Sequence, residues 1–86
     1  MGKEYLLSFS SFYKAAYAKD VLDEYGLSSS LRKLPPQIAH SCSTGLYLRI
    51  DSIERVRSLL KDSQIATKGF YEIRRNDNGD KSYVRV

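Results

Sequence analysis

"GLYLRIDSIERVRSLLKDSQI" (residues 45–65) changes its periodicity partway along. Leu46, Leu48 and Ile50 alternate with Tyr47 and Arg49, which predicts a strand with one apolar face. From Ile53 the apolar residues fall at Ile53, Val56, Leu59 and Leu60, the spacing of an amphipathic helix. Asp51 and Glu54 stand three apart, as in a capping box with Asp in place of Ser or Thr. A strand that feeds directly into such a helix is a β-α unit, and the rest of the chain determines what it packs against.

Upstream, the chain repeats this arrangement. In "KEYLLSF" (residues 3–9), Tyr5, Leu7 and Phe9 face one way and Glu4, Leu6 and Ser8 the other, which predicts a strand with one buried face. "SSFYKAAYAKDVLDEYG" (residues 10–26) follows, with Ser10 or Ser11 as N-cap and Gly26 as terminator. Its inward stripe is expected at Ala15, Ala18, Val21 or Leu22, and Tyr25. "LSSSLRKLP" (residues 27–35) is a polar strand ended by Pro35 and Pro36, which suits a sheet edge. Downstream, "GFYEIRR" and "KSYVRV" flank "NDNGD", and Asn78-Gly79 predicts a tight hairpin turn. The expected architecture is α+β: a ferredoxin-like β-α-β-β-α-β sandwich with an antiparallel sheet and an extra C-terminal hairpin strand, in one domain spanning residues 1–86.

Composition narrows the function. With 86 residues the chain is expected to hold one modest core. Its apolar runs are too short for a membrane span, and the N-terminus lacks the apolar region of a signal peptide. Gly2 follows Met1, but Leu6 stands where a myristoylation signal has Ser or Thr. A formal net charge of +4, spread along the chain, reads as solubility before it reads as a polyanion partner. Phosphate-binding glycine motifs are absent, and one His with one Cys does not make a zinc site. The expectation is a non-enzymatic cytoplasmic protein with no cofactor and no metal. The single cysteine rules out an internal disulfide and fits that compartment.

The cysteine lies in "PPQIAHSCST" (residues 35–44), a polar loop. Two readings of Cys42 stand. A free cysteine is often a small buried hydrophobe. In a polar loop it is instead a thiol that a partner can reach. On the second reading His40 supplies a neighbouring base, Arg32, Lys33 and Arg49 supply cations, and the N–H groups of Ser43, Thr44 and Gly45 form an anion-holding nest, all favouring the thiolate.

The opening "YLLSF", the segment "P-Q-I-A-H-S-C", the strand "GLYLRI" and the helix leading to "GFYEI" together resemble the putative selenium/sulfur carrier protein-like family of small bacterial domains. The resemblance extends over roughly residues 4 to 73, and the terminal hairpin lies outside it. Pro35, Ile38, Ser41 and Cys42 match the family loop, and Gly45, Leu46, Leu48 and Arg49 match the strand after it. The family has glycine directly after its cysteine, whereas Ser43 and Thr44 intervene here; with the glycines aligned, Thr44 takes the cysteine's place. The resemblance implies a carrier in which Cys42 accepts sulfur or selenium as a persulfide or selenopersulfide. His40, Ser41, Ser43, Thr44, Gly45 and Arg49 would support it, and the partner would be a cysteine desulfurase or sulfur-relay protein. Two other readings remain: an interaction module that pairs or homodimerises through the "KSYVRV" edge, and a weak RNA binder using Tyr47 and Arg49 on the open sheet face. "TGLYLRID" is a poor match to the aromatic-rich RNA-recognition motif, so a nucleic-acid partner is not expected.

Overall fold

The computed structural model describes residues 2–35, 38 and 44–86. The chain runs β1 (Lys3–Ser8), α1 (Phe12–Glu24), β2 (Ser29–Lys33), β3 (Thr44–Ile50), α2 (Ile53–Asp62), β4 (Gly69–Arg75) and β5 (Lys81–Arg85). The fold is α+β, with two helices and a five-stranded sheet of order β2-β3-β1-β4-β5. Every neighbouring pair of strands is antiparallel. β2 lies at one edge, as its polar sequence predicts, and β5, the added hairpin strand, forms the other.

Both helices begin on a serine. The Ser11 side chain accepts from the Lys14 N–H at 3.2 Å. The Ser52 side chain accepts from the Glu54 N–H at 3.4 Å, so Ser52, and not Asp51, caps α2. Asp51 precedes the cap, and the expected box with Glu54 does not form. Both helices also end alike. Gly26 has φ +77°, its N–H donates to the Asp23 carbonyl, and the Leu27 N–H donates to the Leu22 carbonyl. At the end of α2, Gln64 has φ +59°, its N–H donates to the Lys61 carbonyl, and the Ile65 N–H donates to the Leu60 carbonyl. This is the Schellman pattern in both cases. In α2 a residue with a Cβ carries the left-handed backbone, so the sequence offers no glycine to mark that end.

The main core lies between the helices and one sheet face. Tyr5, Leu7 and Phe9 from β1 and its end, Leu46 and Leu48 of β3, Ala15, Ala18, Val21 and Leu22 of α1, and Ile53, Val56 and Leu60 of α2 form one buried cluster. Tyr25 corrects the expected stripe: it is the α1 C-cap and 54% exposed. Tyr13 and Tyr17 of α1 are exposed as well. The hairpin turn also differs from expectation. Of Asn78 and Gly79 only the glycine has positive φ, at +85°. The Gly79 N–H donates to the Asn76 carbonyl, and Asn76 Oδ1 accepts from the N–H groups of Asn78 and Asp80. The connection is a five-residue loop organised by Asn76, and not a two-residue turn.

β1 has two buried faces, not one. Leu6 points away from the helices yet is only 4% exposed, and Leu34, just after β2, is equally buried. Neither belongs to the main core cluster. They mark a smaller packed region on the far side of the sheet.

Candidate functional site

The helix-free face of the sheet is built by cross-strand register. Glu4, Tyr47 and Arg75 come from β1, β3 and β4, and Glu4 sits on the central strand between the other two. The Tyr47 hydroxyl donates to Glu4 Oε1 at 2.6 Å. Arg75 donates to both carboxylate oxygens, Nε to Oε2 and Nη2 to Oε1, each at 3.2 Å. Such a two-pronged pair fixes direction as well as charge. The Arg75 guanidinium, and after it the Tyr47 hydroxyl, hold the Glu4 carboxyl below the usual carboxylate range. The same hydrogen bond to Glu4 raises the Tyr47 phenol above its ordinary value. The Arg32 guanidinium lies over the Tyr47 ring, 4.1 Å from its centroid, reached diagonally because Arg32 pairs with Gly45.

These groups border a cavity of about 330 Å³ that is open on one side. Arg32, Lys33, Arg75 and Lys81 supply its charge, with Glu4 the one carboxylate among the described residues that line it. Leu6, Pro35, Ile73 and Tyr83 supply its apolar surface. Pro35 also belongs to the connection that carries Cys42, and Thr44 resumes the sheet opposite Lys33. The connection containing the lone cysteine therefore leaves and rejoins the fold at the cationic end of this face.

His40, Ser41, Cys42 and Ser43 lie outside the described residues. Thr44 is half-buried in β3 and Gly45 is buried. A Cβ on Gly45 would run into the Leu7 carbonyl and the Leu34 side chain, so close packing of backbone accounts for this glycine. Thr44 and Gly45 are paired strand residues, and their extended backbone is unlike the alternating conformation of the expected nest. Arg49 is exposed and donates to the Gly2 carbonyl at 3.3 Å. It stands five strand residues beyond Thr44, roughly 17 Å away at the usual rise per residue. The cations beside Thr44 and Gly45 are instead Lys33 and Arg32. Among the described residues, no group of three or more His, Cys, Asp or Glu side chains is placed to hold a metal ion. No helix there is long and apolar enough to cross a membrane.

The sequence reading missed Glu4, Arg75, Lys81 and Tyr83 as members of one site. A period-two pattern puts Glu4 opposite the apolar face of β1, but only the register brings it to residues 43 and 71 positions away.

The chain is a small α+β module with a charged helix-free face, and its one cysteine lies in the connection between β2 and β3. The chain belongs to the family described as "Putative Se/S carrier protein-like", whose model matches residues 4–72. No curated protein and no solved structure matches the chain.

Proposed function

We propose that this protein is a cytoplasmic sulfur or selenium carrier and that Cys42 is the atom-bearing residue. The observation that carries this reading is the family match over residues 4–72, a span that includes Cys42 and leaves out β5. The anchoring of the Cys42 connection supports it. Pro35 and Thr44 sit beside Arg32 and Lys33, and nearby cations favour a thiolate over a thiol. The β-α-β-β-α-β chain order and the β2-β3-β1-β4 run of strands also support a ferredoxin-like reading of the family-matched part, with β5 as an addition at the edge.

In the proposed transfer, the Cys42 thiolate attacks the terminal sulfur of a persulfide on a cysteine desulfurase. A new S–S bond forms at Cys42, the donor's S–S bond breaks, and the donor cysteine leaves as its thiolate. The proton on the terminal sulfur moves with it, and no external oxidant is consumed. The same exchange with a selenopersulfide transfers selenium. A relay of this kind needs only one cysteine in the carrier, which is what the chain contains.

Intact-mass spectrometry after incubation with a desulfurase and cysteine tests the proposal. The expected result is a gain of one sulfur atom that is lost on reduction and absent from Cys42→Ser. A thiol that takes up no sulfur while the desulfurase is demonstrably turning over would overturn it.

A further inference from the structure

We propose that the cleft on the helix-free face is a binding site for a small organic phosphate, a compact molecule with one dianionic oxyanion group and an apolar body. The charge balance is the first argument. Among the described residues, four cations border the cavity against one carboxylate, and Glu4 already accepts both prongs of Arg75 and the Tyr47 hydroxyl. Arg32 stacks on Tyr47, and among the described residues Arg32, Lys33 and Lys81 make no ion pair. Their mutual repulsion is relieved by an anion held between them.

Shape and preorganisation are the second argument. A volume of about 330 Å³ lies at the small end of ligand cavities, which run from roughly 300 to 1,000 Å³. Arg32 is held against an aromatic ring and Arg75 is held by Glu4, so neither has to be ordered when the ligand arrives. Leu6, Ile73 and Pro35 give the floor an apolar strip that inorganic phosphate alone leaves uncovered.

The same geometry argues against a single-stranded nucleic acid on this face. Base stacking needs free ring surfaces. One face of Tyr47 is covered by Arg32. The Tyr71 ring lies across Gly69, where an added Cβ would meet it at 2.9 Å.

The test is chemical-shift mapping of the full chain, isotopically labelled, at low ionic strength with phenyl phosphate, inorganic phosphate, phenol and a single-stranded oligonucleotide. Phenyl phosphate is expected to perturb amides at the end of β2 and along β4 and β5, with binding weakened by added salt. Inorganic phosphate is expected to bind the same amides more weakly, and phenol not to bind. Arg32→Met and Lys81→Met are each expected to weaken phenyl phosphate binding by about tenfold, as loss of a charge-assisted hydrogen bond does, while Lys61→Met on α2 leaves it unchanged. Unchanged folding of each variant is confirmed by its thermal transition. The proposal is overturned by no saturable shifts up to about 10 mM phenyl phosphate, or by shifts scattered over all basic surfaces. Equal weakening by Lys61→Met overturns it as well, as does tighter binding of the oligonucleotide through the same amides. Equal affinity for inorganic and phenyl phosphate overturns the part assigned to the apolar strip.

Discussion

Leu6 and Leu7 are neighbours on the central strand and sit in different environments. Leu7 faces the helices, is fully buried and belongs to the main core. Leu6 faces the opposite way, is nearly as buried, and lines the cationic cleft. On the helix side, burial comes from apolar side chains of both helices closing over the sheet. On the other side it comes from a thin cover of strand residues and Leu34, beside the Glu4–Arg75 ion pair and the Tyr47 ring. Similar low exposure therefore arises from a deep apolar layer in one case and a shallow, mixed one in the other. The first stabilises the fold, and the second leaves polar groups free to meet a ligand.

Five substitutions would break or sharpen that contrast, and chemical denaturation measures each. Leu7→Ala is expected to cost the most, toward the upper end of the roughly 2–5 kcal/mol seen for buried leucine truncations, because the helices hold the cavity open. Leu6→Ala is expected to cost nearer 2 kcal/mol, since the space it leaves opens onto the cleft and admits water. Equal costs for the two leucines would show that the faces are not distinct. Gly45→Ala is expected to lose about 1–3 kcal/mol, because the added methyl meets the Leu7 carbonyl, which cannot swing aside as a flexible side chain would.

Glu4→Gln is expected to cost about 1 kcal/mol at neutral pH, through loss of the charge that Arg75 and Tyr47 share. Because the folded Glu4 carboxyl titrates lower than the unfolded one, its contribution is present above the ordinary value of 4.5 and is lost as pH falls through the folded value. The Glu4→Gln difference should therefore shrink in acid. Tyr47 behaves in the opposite sense. Its raised phenol contributes fully below the ordinary value of 10.0, and that contribution is lost as pH rises through the folded value. Ultraviolet titration of the tyrosines should show one late-ionising phenol that moves back toward the others in Glu4→Gln. The smallest effect lies on the helix side. Gln64→Gly is expected to stabilise the fold by roughly 0.5–1 kcal/mol by removing a Cβ from the left-handed end of α2.

The sequence carried most of the secondary structure because local patterns encode it. Alternation in "KEYLLSF" and "GLYLRI", helical spacing from Ile53 to Leu60, a serine before α1 and Gly26 after it each act within a few residues. The misplacements arose where a local signal had a close competitor. Ser52 outcompeted Asp51 as the cap of α2. Tyr25 had helical spacing but fell beyond the last helical turn. Asn76, and not the Asn78-Gly79 pair alone, organised the hairpin loop. The cysteine was legible as a lone thiol in a polar segment, and its family pattern could be read directly.

The cleft was not legible in this way. Its members come from all five strands, and Glu4 meets Tyr47 and Arg75 across 43 and 71 positions. A one-residue slip in the pairing of β1 would turn Glu4 and Leu6 toward the helices and undo both faces at once. The sequence by itself determined which residues alternate, where the helices begin, and that one cysteine stands between β2 and β3. Only the tertiary structure decided which alternating residues share a face, because strand register is set by the burial of a whole sheet surface and not by any single segment.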